Sequence, residues 1–212
     1  LPVTLLVDRA GLVGRDGETH HGIFDVAYLS CLPNMTIYTP KDLTDLDRIL
    51  EFSKSFCHPL AVRYENEYFG EFDVHEEIIS GKWEVLHEAG GVNIIAYGGR
   101  MLGVARRARE ILMEKGLDIG IINAAFIKPF DVGLLQSLKG TCFVLEQCPP
   151  TGGLYGALCG YASQKGLSLN LYPLCLPDRY ITFGSCEELL ESLGLSAEGV
   201  AERILFKLKQ AL

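Results

Sequence analysis

The chain is 212 residues long, 48% hydrophobic and 22% charged, and its 27 acidic against 19 basic residues leave a formal charge of −8. That supports one large or two modest cores and, with Lys and Arg scattered rather than banded, disfavours non-specific nucleic-acid binding while leaving room for a local basic pocket for a phosphorylated metabolite. No uninterrupted apolar run approaches the roughly 20 residues that span a bilayer; seven cysteines without a C-x-x-C pair fit buried thiols better than a disulfide framework or a zinc site, so the expectation is a soluble, cytoplasmic protein.

In chain order, Pro2 to Val7 reads as an apolar strand. It begins with no cap or turn before it, which looks like the inside of a domain rather than its start. It runs into Asp8-Arg9-Ala10-Gly11-Leu12-Val13-Gly14 and Asp16-Gly17-Glu18-Thr19-His20-His21-Gly22. This glycine-hinged loop, carrying Arg9, the acids Asp8, Asp16 and Glu18 and a histidine pair, reads as a substrate-facing edge of an α/β sheet. A helix follows from near Phe24, a strand at Met35 to Tyr38, a helix from about Leu43 to Phe56 and a strand at Leu60 to Tyr64, with Pro40 and Pro59 marking boundaries. The pattern then collapses into Glu65-Asn66-Glu67-Tyr68-Phe69-Gly70-Glu71, an acidic, aromatic stretch that reads as a linker or a loop packed through its aromatics.

The grammar restarts with a strand at Val92 to Tyr97 and a helix marked by Leu102, Ala105, Ala108 and Leu112, whose wet side carries Arg106, Arg107, Arg109 and Glu110. Strands are expected at Asp118 to Ile122, Cys142 to Leu145 and Leu169 to Tyr172. Helices are expected at Val132 to Leu138, Leu154 to Gln164, Glu187 to Leu193 and Ala197 to Leu208. Short apolar strands alternating with helices imply a mostly parallel, doubly wound α/β sheet. Two such units predict two domains: residues 1–72, the first of them incomplete, a linker at 73–82, and residues 83–212.

Each chemical group also has a plainer reading. Arg9 can fork onto a phosphate or carboxylate, or pair with Asp8 or Asp16 and pin the loop. His20 can move a proton or hydrogen-bond a ketone oxygen, or merely stabilise the loop. In an extended segment His21 points away from His20 and reads as a partly exposed spacer. Gly98-Gly99 with Gly103 lacks the G-x-G-x-x-G spacing and reads as a tight strand-to-helix turn, Gly152-Gly153 with Gly156 as close packing, and Glu146 as a structural or interface acid. From the residues alone the chain is part of an anion-binding α/β enzyme.

The first loop, through Phe24-Asp25, closely resembles the 1-deoxy-D-xylulose-5-phosphate synthase family of the transketolase superfamily. The resemblance continues through Tyr28-Leu29-Ser30-Cys31-Leu32-Pro33-Asn34-Met35, Thr39-Pro40-Lys41-Asp42, Ala61-Val62-Arg63-Tyr64, Phe126-Ile127-Lys128-Pro129-Phe130-Asp131 and Leu176-Pro177-Asp178-Arg179-Tyr180-Ile181, and so covers essentially the whole chain. It implies the latter part of a thiamine-diphosphate pyrimidine-binding domain followed by a transketolase-like carboxy-terminal domain, in an enzyme that joins decarboxylated pyruvate to D-glyceraldehyde 3-phosphate. By position, Arg9 would hold the acceptor phosphate, His20 would be the catalytic group bonding substrate oxygens, and Asp16 would orient the loop's polar network. The residues for thiamine diphosphate and Mg²⁺ are expected upstream of Leu1, so the chain alone is expected to bind neither and to be inactive; the intact enzyme would be a homodimer. Other expectations left open are a transketolase-like paralogue, a dehydrogenase β-type subunit, or a non-catalytic, interface-forming homologue.

There is one departure. Where that family reads Arg-Tyr-Pro-Arg-Gly, this chain reads Arg63-Tyr64-Glu65-Asn66-Glu67. Asn66 thus stands where the resemblance implies a second arginine gripping the acceptor phosphate with Arg9; a charge-assisted contact of that kind is worth about 1.5 to 3 kcal/mol, and Glu65 and Glu67 would add repulsion if they face it. The expectation is weak binding of glyceraldehyde 3-phosphate or a less charged acceptor, unless Lys41, Arg63 or another basic group that reaches the pocket compensates.

Overall fold

The computed structural model describes residues 1–88 and 90–210. The first part contains β1 (Thr4–Val7), a 3-10 turn at Gly14–Thr19, α1 (Asp25–Ser30), β2 (Thr36–Tyr38), α2 (Leu43–Ser53) and β3 (Leu60–Arg63). Strands β1, β3 and β2 lie side by side and parallel, with Leu6 opposite Val62 and Ile37 opposite Ala61. The first turn of α2 is set by Asp42, whose carboxylate accepts the Asp45 N–H at 2.7 Å, an N-cap that satisfies a donor the helix itself cannot.

The second part contains β4 (Glu84–His87), β5 (Val92–Ala96), α3 (Gly99–Glu114), β6 (Gly120–Asn123), β7 (Phe126–Lys128), α4 (Val132–Ser137), β8 (Thr141–Glu146), α5 (Leu154–Lys165), β9 (Asn170–Cys175), α6 (Cys186–Ser192) and α7 (Ala197–Gln210). Its sheet has the order β4-β6-β5-β8-β9, parallel except for the antiparallel edge strand β4. The doubly wound α/β architecture expected from the sequence is therefore present. Two strands were not anticipated. One is β4. The other is β7, which leaves the second sheet and pairs antiparallel with β2, with Tyr38 opposite Phe126, so that a strand from the second half completes the first sheet.

Alternation along the central strands divides the interior in two, because successive side chains leave opposite faces. Ile94, Ala96, Phe143 and Leu145 face a core roofed by α3, α6 and α7, and this core also takes in Leu12 and Ile23 from the first part. Ile95, Tyr97, Cys142 and Val144 face the other way, into a core shared with Ile37, Tyr38, Leu60 and Val62 of the first sheet. The two sheets are thus packed through common side chains. In contrast, β1 is an edge strand whose Leu5 and Leu6 remain exposed. Among the described residues no helix is long and apolar enough to cross a membrane.

Candidate active-site loop

The segment after β1 is shaped by its glycines. Gly11, Gly14 and Gly17 all have positive φ, which side-chain-bearing residues rarely adopt. Gly11 and Gly22 exchange two backbone hydrogen bonds of 2.8 Å, closing the loop at its base, and the Ala10 N–H donates to the Tyr64 carbonyl at 2.9 Å. The residues between are therefore presented as one body beyond the carboxyl ends of β1 and β3.

Arg9 lies at φ +63°, where an arginine costs roughly 1–2 kcal/mol. Its backbone N–H donates to Asp8 Oδ1 at 2.7 Å, and its guanidinium donates to Asp16 Oδ2 at 3.0 Å with both side chains nearly half exposed. The structure thus brings Arg9 and Asp16 together and leaves the guanidinium's other donors toward solvent. His20 is exposed, with Nδ1 2.9 Å from the neighbouring Thr19 hydroxyl; its ring does not bond Arg9 or Asp16.

His21 departs from the exposed spacer expected of it: it is only 8% exposed. Its Nδ1 accepts the Val13 N–H at 3.1 Å and its Nε2 lies 3.3 Å from the Thr182 carbonyl. A ring that accepts at Nδ1 must carry its proton at Nε2 and donate there, so His21 pins the loop to the second half of the chain. The local pattern could not reveal this because the carbonyl lies 161 residues away.

The acidic run after β3 also turns away from the loop's open side. Glu65 accepts the Arg100 N–H at 3.0 Å and the Gln147 Nε2–H at 2.9 Å. Burial pushes its carboxyl pKa up, against the pull of Arg100. Glu67 pairs with the Arg100 guanidinium at 2.9 Å, while Asn66 between them is exposed. Neither expected compensating cation is available. The Arg63 guanidinium is buried and forks onto Asp25 at 2.9 and 3.0 Å. Lys41 is buried against Glu84 at 2.5 Å.

Glu146, at the end of β8, is fully buried. It accepts from the Tyr97 hydroxyl at 2.7 Å and from the Leu154 and Tyr155 amides at 2.8 and 3.0 Å, so it closes the start of α5 as a structural acid. Gly153 allows this: a Cβ there would stand 2.4 Å from both carboxylate oxygens. A Cβ on Gly152 would meet Ala27 at 2.6 Å, so this glycine pair serves close packing.

Among the described residues one trio of metal-capable groups converges: Asp42, Glu71 and His75. Asp42 is already filled, accepting from the Asp45 and Phe72 amides and from His75 at 2.7, 3.0 and 2.9 Å. Mg²⁺ takes open oxygen ligands and retains water. The trio is a clasp holding the 71–75 segment to α2 and does not fit a Mg²⁺–diphosphate group.

Two family models cover the chain, the pyrimidine-binding domain of transketolase over residues 1–69 and its C-terminal domain over residues 81–200. The chain belongs to the transketolase family. Within it, the chain corresponds to the carboxy-terminal portion of the 1-deoxy-D-xylulose-5-phosphate synthases. It is 40% identical over 212 residues to the synthase of Clostridium perfringens, covering 97% of this chain and 34% of that protein. The Caldanaerobacter subterraneus synthase is 34% identical over 215 residues, covering 99% and 34%. The chain thus spans about a third of the length of the curated relatives it matches. A solved structure described as a split gene transketolase, inactive β4 tetramer, superposes with a TM-score of 0.85 at 27% identity, over 98% of this chain and 67% of that one. A Pichia stipitis transketolase shares the fold at a TM-score of 0.71 and 17% identity, over 97% of this chain and 30% of its own.

Proposed function

We propose that this chain is the carboxy-terminal portion of an enzyme that condenses pyruvate with D-glyceraldehyde 3-phosphate, the pyruvate carboxylate leaving as CO₂ and the remaining two-carbon unit forming a bond to the aldehyde carbon. Residues 1–72 are its share of the pyrimidine-binding domain, 73–82 a linker and 83–212 the carboxy-terminal domain. The observation that carries this reading is the match to synthases over 97% of the chain, together with a rigidly framed loop bearing Arg9, Asp16 and His20. Thiamine diphosphate, with Mg²⁺, supplies the carbanion chemistry when bound to the complete protein, held by residues outside this chain. The complete protein works as a cytoplasmic homodimer.

On this reading Arg9 is the anchor for the acceptor's phosphate, its charge directed by Asp16. His20, exposed on the same loop, bonds substrate oxygens and passes a proton to or from them. The burial of Lys41 against Glu84 and of Arg63 against Asp25 supports a second reading of the acceptor: with Asn66 uncharged, the 65–67 run offers its phosphate no cation, and a less charged aldehyde is accepted as well.

The test is pyruvate-dependent product formation by the full-length protein with thiamine diphosphate and Mg²⁺, comparing glyceraldehyde 3-phosphate with unphosphorylated glyceraldehyde. Deoxyxylulose phosphate made with a strong preference for the phosphorylated acceptor supports the synthase. Equal use of both supports the less charged acceptor. No turnover with either removes the proposal.

A further inference from the structure

In open α/β sheets ligands bind outside the carboxyl ends of the strands, where the strand order reverses. In the second sheet that point lies between β5 and β8, because the chain leaves β5 for β6 on one side and later returns to β8 on the other. The crevice there is filled by the chain itself. Leu12, from the middle of the candidate active-site loop, is fully buried in the core formed by β5, β8, α3, α6 and α7.

The main chain of Leu12 is held on both sides. Its N–H donates to Gln147 Oε1 at 3.0 Å, and its carbonyl accepts from Arg100 Nη1 at 2.7 Å and from the Cys186 thiol at 3.3 Å. Gln147 follows β8 and Arg100 opens α3, so these are the groups a switch-point ligand would meet. Gln147 also donates to Glu65, and Arg100 also pairs with Glu67, so the same two side chains hold the loop beyond β3. The fit leaves no slack: a Cβ on Gly11 would come within 2.6 Å of the Gln147 amide.

We propose that Gln147 and Arg100 are positioning residues, through which the carboxy-terminal domain grips Leu12 as an internal ligand and fixes the loop that presents Arg9, Asp16 and His20 to substrate. The kinetic consequence rests on the function proposed above; the structural one does not. Nothing in the grip touches substrate. Its effect is to spare the loop the entropy of being ordered at each binding event.

The experiment is hydrogen exchange on the full-length protein, read in peptides covering residues 8–24, for Gln147→Ala, Gln147→Glu and Gln147→Glu combined with Glu65→Gln. The single variants are expected to raise exchange in that window about tenfold while β5 and β8 keep wild-type protection. The double variant, which exchanges donor and acceptor between the two positions, is expected to restore protection. Wild-type exchange in Gln147→Ala, equal acceleration throughout the chain, or failure of the double variant to restore protection overturns the proposal. In kinetics, Gln147→Ala is expected to raise KM for the acceptor with kcat and the pyruvate KM little changed, and an unchanged acceptor KM also overturns it. If the wild-type protein makes no product with either acceptor, the function proposal fails, and the exchange result alone decides the positioning role.

Discussion

Arg63 illustrates how much of this molecule rests on single buried charges. Its guanidinium is enclosed by Asp25, the Gly22 carbonyl at 3.1 Å and the face of Tyr97. Burial by itself would lower its pKa, but the Asp25 carboxylate bonded to it more than offsets this and holds it charged. Replacing Asp25 by alanine strands that cation, and the expected cost is about 3–5 kcal/mol, measurable as a lowered urea midpoint at unchanged slope. Glu65 makes the opposite electrostatic statement. Burial raises its carboxyl pKa in the folded state, so the native chain holds the proton to higher pH than the unfolded one. Its contribution to stability is full below the unfolded pKa and is lost as pH rises through the folded value. Denaturant titrations at successive pH values should show this loss in the wild type and a flatter profile in Glu65→Gln. The sequence exposed the anomaly at residues 65–67 but not its meaning. The acids stand beside an uncharged Asn66 in the chain, while Arg100, which turns them inward, lies more than 30 residues on.

At the level of elements the sequence was legible where periodicity was sustained. The alternating apolar residues of β5 and β8 and the apolar stripe of α3 needed only local pattern, and each element lies within a few residues of its expected place. The strands β4 and β7 escaped because they are short and their partners are distant: β7 is three residues long and pairs with a strand nearly 90 positions earlier. Two glycines, the N-cap Gly153 of α5 and Gly160 within it, separate packing from propensity. Gly153→Ala drives a methyl into the Glu146 carboxylate and is expected to destabilise by about 1–3 kcal/mol. Gly160 is exposed on the same helix with nothing within 4 Å of a Cβ, so Gly160→Ala is expected to stabilise by about 0.5–1 kcal/mol. Thermal unfolding of the two variants side by side tests both signs.

Across the whole molecule, exposed apolar side chains include a run along β1, where Val3, Leu5 and Leu6 flank a free strand edge. An open edge with apolar side chains invites pairing with another chain. The 212-residue chain is expected to associate in a concentration-dependent way, and Leu6→Lys to shift it toward monomer, as read by light scattering. The loop's glycine spacing made Arg9, Asp16 and His20 visible as site candidates, but nothing in the sequence marked Leu12 as a core residue of the other half; only the assembled sheets do. The strand exchange through β7 bears on how such a chain can be recombined. The stretch around residues 73–82 looks like a safe crossover point between homologues, yet a chimera joined there mates the β2 of one parent with the β7 of another. A compatible exchange must carry those two strands, and the Tyr38–Phe126 contact between them, as a single inherited block.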